Sequence, residues 1–161
     1  GRPQPEEFQA WWHERSWPQI RERDYLWGSW IWNMFDFSSR VRQEGDATDI
    51  NTKGLVSFDR TVRKDAFYYY RAQWSEELVV HITARRFNQR TQAQTRIKVY
   101  SNAPSVRLTM NGASLGTVPC PDRVCVLDDV TLSPGNNRVV AEADFEGRSV
   151  TDAVMWILTA E

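Results

Sequence analysis

One apolar run, Trp27-Gly-Ser-Trp-Ile-Trp-Asn-Met-Phe-Asp-Phe37, constrains the fold of this chain more than any other segment. A strand formed by it would be apolar on both faces, as strands are inside a parallel sheet that helices cover. In a (β/α)₈ barrel the chemistry lies at the carboxyl ends of such strands, and this run leads to Asn33 and Asp36. We therefore predict a buried strand that rises to a binding pocket. Because a single barrel strand cannot fold alone, the chain is expected to be a piece of something larger.

The charge balance argues against several classes of partner. The chain has 20 basic and 21 acidic residues, a net charge of −1, and no segment that collects one sign. A nucleic-acid-binding protein normally carries a basic stripe, so nucleic acid is not an expected partner. Hydrophobic residues make up 41% of the 161 residues, but no run approaches the roughly 20 apolar residues that cross a bilayer. A membrane is not expected as a partner either.

Tryptophan is unusually frequent and unevenly placed. The chain contains 8 Trp residues, most of them in the first 32 residues. Indole rings commonly stack on the flat apolar faces of sugars, and they also fill cores. Composition alone leaves both interpretations open.

The two cysteines, Cys120 and Cys125, bracket the sequence Pro-Asp-Arg-Val. This spacing is short enough for a disulfide that closes a tight loop, and the flanking alternation favours a hairpin there. A disulfide would indicate a periplasmic or secreted protein, whereas two unpaired thiols remain the alternative. No zinc site is expected, since His13 and His81 do not have ligand spacing.

The first half of the chain predicts a helix followed by the apolar strand. Residues 5–16 place aromatic residues at helical spacing, and Pro5 with two acids favours a helix start there. Pro18 is expected to help end this helix. The buried strand is then predicted over residues 26–35.

A long polar loop is predicted over residues 38–52, and a second helix over residues 64–74. Asp59 or Thr61 is available as its cap. The order of helix, buried strand, loop and helix is that of the last part of a βα-repeat fold. Residues 1–75 are therefore predicted to be the carboxyl-terminal portion of a (β/α)₈ barrel.

From Glu77 onward the apolar pattern alternates with a period of two. About seven short strands follow, separated by turn sequences such as Asn111-Gly112, which is the strongest hairpin signal in the chain. Strands and turns at this spacing are typical of an immunoglobulin-like sandwich. Residues 76–161 are therefore predicted to form an all-β sandwich after the α/β barrel fragment.

Three stretches of the first half resemble the end of the barrel in glycoside hydrolase family 2, the group of β-galactosidases and β-glucuronidases. They are Trp32-Asn-Met-Phe-Asp-Phe37, Asn51-Thr-Lys-Gly-Leu-Val56 and Lys64-Asp-Ala-Phe-Tyr-Tyr-Tyr-Arg-Ala-Gln-Trp74. The stretch Leu108-Thr-Met-Asn-Gly-Ala-Ser-Leu-Gly116 resembles the immunoglobulin-like module that follows the barrel in many bacterial members.

The resemblance implies retaining hydrolysis by two carboxyl groups, an acid and a nucleophile, about 5–5.5 Å apart. The family carries its acid as an Asn-Glu pair after the fourth strand, and this chain contains no such pair. Both catalytic glutamates are thus expected upstream of the 161 residues, so that the isolated chain is expected to be inactive. Glu6 and Glu7 are assigned to the first turn of the first helix.

The resemblance also implies that Trp32, Asn51 and Lys53 bind the sugar. Trp32 matches the tryptophan that forms the floor of the sugar subsite, with core filling as the alternative. Asn51 and Lys53 match the Asn-x-Lys pair with which β-glucuronidases hold the sugar carboxylate. The alternative is that Lys53 pairs with a nearby acid, Asp36 or Asp49. For Asp36 itself, anchoring the loop and bonding a sugar hydroxyl both remain open.

The function predicted from the sequence is therefore that of a fragment of a bacterial exo-acting glycoside hydrolase, with β-galactosidase first and β-glucuronidase as the alternative. A carbohydrate substrate and the missing amino-terminal part of the enzyme are the expected partners, and no cofactor is expected. A non-catalytic carbohydrate-binding module or a structural spacer is the hypothesis from a different class.

Overall fold

The computed structural model describes residues 5–44 and 47–159, and the chain divides into two compact units, Gly1–Tyr68 and Tyr69–Glu161. The sequence placed this boundary between residues 75 and 76, at the end of the second helix, whereas the structure places it inside that helix. Neither helix of the described part of the chain is long and apolar enough to cross a membrane.

The first helix, α1, spans Glu6–Arg21 and is longer than the sequence predicted. Its start agrees with the prediction, because Pro5 is the N-cap and Glu6 and Glu7 lie in the first turn. The prediction that Pro18 ends the helix is wrong. Proline has no N–H to donate but its fixed φ suits a helix, and the final turn closes when Glu22 N donates to Pro18 O at 3.0 Å.

One face of α1 buries Ala10 and His13. Burial lowers the pKa of His13 to about 4, because an imidazolium removed from water loses its hydration. The imidazole is therefore neutral at physiological pH, so His13 adds no positive charge to the first unit.

The predicted buried strand over residues 26–35 is wrong for this structure. Residues 26–34 are irregular, and Trp27, Trp30 and Trp32 are 90%, 79% and 70% exposed. Phe35 alone forms a bridge, parallel to Val56. A strand buried on both faces requires hydrogen-bonding neighbours on each side, and the described residues supply one short neighbour. The apolar character of the run therefore remains, but the described residues of this unit form no sheet that buries it.

The predicted loop over residues 38–52 is instead a hairpin. Strand β1 (Phe37–Glu44) pairs antiparallel with β2 (Ala47–Asn51), with a register irregularity between Ser38 and Gln43. The side chains described on this ribbon are mostly exposed on both faces. A ribbon with no buried face leaves no apolar alternation in the sequence, and for this reason the pattern indicated a loop.

The second helix, α2 (Asp65–Trp74), forms where the sequence predicted it, but its cap differs. The N–H of Asp65 donates to the Glu6 carboxylate rather than to Asp59 or Thr61. Asp59 accepts hydrogen bonds from Ser57 and from Thr61 N and Oγ1, which lower the pKa of Asp59 to about 2. An acid on α1 therefore neutralises the positive end of α2.

The second unit is a two-sheet β-sandwich, as predicted. Its strands are, in chain order, β3 (Val80–Ile82), β4 (Gln89–Arg90), β5 (Gln94–Ser101), β6 (Ser105–Met110), β7 (Ala113–Pro119), β8 (Val124–Thr131), β9 (Gly135–Phe145) and β10 (Arg148–Leu158). A five-stranded sheet has the order β4-β10-β9-β6-β7, and a three-stranded sheet has the order β3-β5-β8. All seven strands expected from the alternation are present, and the two-residue β4 is additional.

The core of the sandwich comes from alternating residues of the paired strands. In β9, Asn137, Val139, Ala141 and Ala143 are buried in alternation, and Trp156 of β10 is 1% exposed. The turn between β6 and β7 consists of Asn111 and Gly112, both at positive φ, as a two-residue type I′ hairpin requires. The period-two pattern of the sequence therefore identified the residues that are buried in this unit.

The structure joins Cys120 and Cys125 in a disulfide. The predicted hairpin between them is wrong, because β7 and β8 belong to different sheets and are connected through a short 3₁₀ turn, Pro121–Arg123. The disulfide therefore links the ends of strands from the two sheets at one edge of the sandwich.

Candidate functional site

The candidate site of the first unit lies where two stretches of backbone, residues 33–36 and 52–56, run side by side. The N–H of Leu55 donates to Asn33 O at 2.9 Å. On the other side, Lys64 N donates to Leu55 O, also at 2.9 Å. Residues 52–55, which we call the Lys53 loop, are therefore held between the end of the aromatic run and the start of α2.

Trp32 immediately precedes the first of these stretches. Its indole is 70% exposed, and one edge contact, to the ring of Phe37, has centroids 6.0 Å apart at 88°. The peptide bond from Trp32 to Asn33 is cis. Within the described part of the chain, most of the surface of Trp32 is exposed.

Asn51 and Lys53 lie together. Asn51, the last residue of β2, is 5% exposed, and its Oδ1 accepts the N–H of Lys53 at 3.1 Å. This is an Asx turn, in which a side chain replaces a backbone acceptor two residues away. The contact fixes the direction in which the backbone leaves β2, and Lys53 is half-buried at this point.

Asp36 anchors the Lys53 loop through its carboxylate. The buried Oδ1 accepts the N–H of Gly54 at 2.9 Å and the ammonium of Lys64 at 2.8 Å. Lys64 also donates to Thr52 O at 2.8 Å. Of the two roles that the sequence left open for Asp36, loop anchoring is the one for which the structure shows contacts.

Gln9 of α1 completes these contacts. Its amide nitrogen donates to Lys53 O at 2.9 Å and to Gly54 O at 3.0 Å. Sequence reasoning missed both Gln9 and Lys64, because these contacts join residues 44 and 28 positions apart. A lone Gln on an amphipathic helix gives no signal of such a role, and Lys64 was assigned only to the start of α2.

Gly54 permits the close approach of the two stretches. A Cβ at this position would lie 2.1 Å from Asp36 N and 2.2 Å from Phe35 C. Both atoms belong to the backbone, so no flexible side chain could move aside. Any residue other than glycine is therefore incompatible with this packing.

Two acidic residues, Glu6 and Glu7, lie at the start of α1. Glu6 caps α2, as described above, and Glu7 lies beside it in the first turn of α1. No group of three or more His, Cys, Asp or Glu side chains among residues 5–44 and 47–159 is placed to hold a metal ion. The side chains that the candidate site presents are an aromatic ring, an amide and an ammonium, from Trp32, Asn51 and Lys53.

The sandwich surface offers a weaker alternative. A cavity of about 140 Å³ is lined by Arg107, Glu142 and neighbouring residues of β6, β7 and β9. Ligand pockets usually measure about 300–1,000 Å³. Arg107 bonds Asp144 at 2.6 Å and Glu142 at 3.1 Å, and its hydrogen bond to Asp144 lowers the pKa of that carboxyl. Asp144 is therefore ionised near neutral pH and is no proton donor there.

The aromatic residues of the sandwich also argue against a carbohydrate platform. Trp156 and Tyr100 are buried, at 1% and 0% exposure, as expected for Trp156 from its alternating strand. Phe87 and Phe145 are exposed, but the guanidinium of Arg90 lies over the ring of Phe87 at 4.4 Å. These residues supply no set of open rings comparable with that of the first unit.

Comparison with known proteins assigns both units to relatives of one kind. Residues 92–150 match a family described as a domain of unknown function, DUF4982. The chain is 41% identical, over 137 residues, to a β-glucuronidase of Bacteroides fragilis, covering 84% of this chain and 20% of that protein. It is 27% identical, over 130 residues, to the β-galactosidase BoGH2A of Bacteroides ovatus, covering 80% of this chain and 15% of that protein.

A solved structure agrees with these sequence matches. The crystal structure of a Bacteroides fragilis protein assigned as a β-galactosidase superposes with a TM-score of 0.90 at 36% identity, covering 96% of this chain and 23% of that one. The chain thus spans about one fifth of the length of the relatives it matches. The resemblance inferred from the sequence is confirmed, and this chain is homologous to a segment of the bacterial β-glucuronidases and β-galactosidases of glycoside hydrolase family 2.

Proposed function

We propose that this chain is part of a retaining glycoside hydrolase that removes terminal β-linked sugars, and that it supplies sugar-binding residues to the catalytic pocket. One observation carries the proposal. Asn51 and Lys53 are held together beside the stretch of residues 33–36, which directly follows Trp32. An aromatic face, an amide and an ammonium are the groups with which a protein binds a pyranose that carries an acidic substituent.

Trp32 is proposed as the floor of the sugar subsite. The C–H face of a pyranose is apolar, and an indole ring covers it while its N–H donates to a hydroxyl or a carboxylate. The position of Trp32 supports this role, because it directly precedes Asn33, whose carbonyl oxygen accepts the N–H of Leu55 in the Lys53 loop.

Lys53 is proposed to select the sugar. A β-glucuronide differs from a β-galactoside most in its carboxylate, which an ammonium binds through a charge-assisted hydrogen bond. We favour a β-glucuronide, because the 41% identical relative is a β-glucuronidase. The β-galactosidase favoured by the sequence alone is the second candidate, supported by the B. ovatus relative and by the 0.90 TM-score match.

The sugar preference is tested by replacing Lys53 with alanine in the complete enzyme that contains this chain. For a glucuronidase, kcat/KM on an aryl β-glucuronide should fall about 10- to 100-fold, since a hydrogen bond to a charged group contributes roughly 1.5–3 kcal/mol. Activity on an aryl β-galactoside should change little.

The matched control is Lys98→Ala, which removes another half-buried lysine, on β5 of the sandwich. It should leave both activities unchanged. Equal losses on the two substrates for Lys53→Ala would contradict a glucuronide preference and would favour the galactoside.

The catalytic carboxyl groups are proposed to come from the remainder of the enzyme, as an acid and a nucleophile about 5–5.5 Å apart. The same remainder would provide the other barrel strands and would cover Trp27 and Trp30, which are 90% and 79% exposed in this chain. Exposed apolar surface of this kind normally marks a contact with other polypeptide. The chain by itself is then inactive.

We also propose that the enzyme acts in the periplasm or outside the cell. The support is the disulfide between Cys120 and Cys125, because disulfides persist mainly in oxidising compartments.

A further inference from the structure

The first three residues of the Lys53 loop, residues 52–54, are held by side chains of the first unit. Lys64 donates to Thr52 O, Asn51 accepts from Lys53 N, and Asp36 accepts from Gly54 N. The amide of Gln9 donates to the carbonyl oxygens of both Lys53 and Gly54. These five hydrogen bonds with side chains satisfy backbone groups of Thr52, Lys53 and Gly54 that no strand pairing satisfies.

The amide of Gln9 is oriented for this loop at the expense of its own oxygen. Gln9 Nε2 makes two hydrogen bonds of 2.9 and 3.0 Å to the loop, whereas Gln9 Oε1 is buried and has no hydrogen-bond partner among the described residues. A buried acceptor without a partner is unfavourable. Its presence indicates that the contacts of the amide nitrogen with the loop fix the orientation of this side chain.

The ion pair between Asp36 and Lys64 fixes the loop from the opposite side. Their side chains are 7% and 14% exposed and lie 2.8 Å apart, and each bonds a backbone group of the loop. Two hydrophobic residues in place of this ion pair could stabilise the fold equally well, but they could not form hydrogen bonds with Gly54 N and Thr52 O. The pair is therefore suited to defining the position of the loop as well as to stabilising the unit.

We propose that Gln9 and the Asp36–Lys64 pair are positioning residues that fix the backbone of Lys53, so that its ammonium meets a sugar carboxylate without a further ordering cost. This inference rests on the proposed function and extends it to residues that touch no substrate. Preorganisation matters because a displacement of about 1 Å in a positioning residue can reduce activity by up to roughly 100-fold.

The test replaces Gln9 with methionine in the complete enzyme. Methionine keeps an unbranched side chain of similar length but donates no hydrogen bond. We expect kcat/KM on an aryl β-glucuronide to fall about tenfold, mainly through KM, and activity on an aryl β-galactoside to be nearly unchanged. A residue that only stabilises the fold would lower both activities together.

A double variant separates positioning from an independent effect. If Gln9 acts through Lys53, then adding Gln9→Met to Lys53→Ala should cause no further loss on the glucuronide. Multiplicative losses in the double variant, or equal losses on both substrates for Gln9→Met alone, would overturn the inference. If Lys53→Ala itself shows no preference for the charged sugar, then the glucuronide proposal fails first and this inference fails with it.

The matched control is Gln19→Met on the same helix. The amide of Gln19 donates to Arg15 O within α1 and is exposed, so this variant should leave the kinetics on both substrates unchanged. Lys64→Met removes the ion pair, but it leaves the buried Asp36 carboxylate without its cation and can prevent folding. For that reason Gln9 carries the test.

Amide hydrogen exchange on the complete enzyme tests the geometry without any substrate. Gln9→Met should accelerate exchange at Gly54 and Leu55, whose N–H groups bond Asp36 and Asn33, and Gln19→Met should not. Unchanged exchange at both amides would overturn the positioning role even if the kinetic preference for the glucuronide were observed.

Discussion

Replacing Gly54 with alanine is expected to disrupt the candidate site more than any other single substitution in the first unit. The new Cβ would lie 2.1 Å from Asp36 N and 2.7 Å from Asp36 Oδ1. Overpacking a well-packed region typically costs up to about 3 kcal/mol when side chains can adjust. Here the closest neighbours are backbone atoms, so the destabilisation by Gly54→Ala should exceed that figure. The substitution should also push the two stretches of backbone apart.

Amide hydrogen exchange on the complete enzyme would measure this separation. In Gly54→Ala, protection should be lost at Asp36, Leu55 and Val56, whose N–H groups bond across the two stretches at 2.9 Å. The strands of the sandwich should keep their protection.

Gly28→Ala is the matched control for Gly54→Ala. A Cβ at Gly28 would lie 3.6 Å from the ring of Trp30, an ordinary van der Waals contact. This variant should exchange like the unmodified chain. If Gly54→Ala also kept its protection, then the close approach of the two stretches would be refuted.

The second large effect is expected in the sandwich, on replacing Trp156 with alanine. Trp156 is 1% exposed, and the guanidinium of Arg90 lies 4.5 Å from its ring centroid. Truncating a buried aromatic side chain costs roughly 3–5 kcal/mol, because a cavity remains after the apolar contacts are lost. The midpoint of urea unfolding, followed by far-ultraviolet circular dichroism, should fall accordingly without a change of slope.

Met155→Ala is the control on the same strand. Met155 is 42% exposed and precedes Trp156 in β10, so its side chain points away from the core. Met155→Ala should lower the free energy of unfolding by well under about 1 kcal/mol. Equal destabilisation by the two substitutions would show that the core of the sandwich is not built around Trp156.

The sandwich was predictable from the sequence because its signals are local. Alternation with a period of two marked each long strand, and Asn111-Gly112 marked the turn between β6 and β7. The pairing of strands into sheets did not follow from these signals. The connection from Cys120 to Cys125 appeared to be a hairpin, but it crosses from one sheet to the other, and sequence alternation does not record which sheet a strand joins.

The first unit was less predictable, since its structure depends on contacts that are distant in sequence. The run from Trp27 to Phe35 is apolar enough for a buried strand, but a strand forms only where neighbours bond it. Among residues 5–44 and 47–159, the bridge of this run is that of Phe35 to Val56. The exposed hairpin β1–β2 left no apolar alternation to detect.

The residues of the candidate site divide in the same way. Trp32, Asn51 and Lys53 were identified through their resemblance to the glycosidase family, and the structure brings Asn51 and Lys53 together. Gln9 and Lys64, which hold the loop, were not identified. Their side chains donate hydrogen bonds to backbone carbonyl oxygens. Since every residue has a backbone carbonyl, the sequence of the loop does not show that such a contact forms.

The crystal structure of the complete enzyme with bound glucuronate is the measurement that most directly tests whether this chain supplies the sugar-binding residues. We expect the sugar ring to stack on the indole of Trp32, with Lys53 Nζ about 2.8 Å from the sugar carboxylate. A sugar bound away from both Trp32 and the Lys53 loop would contradict it.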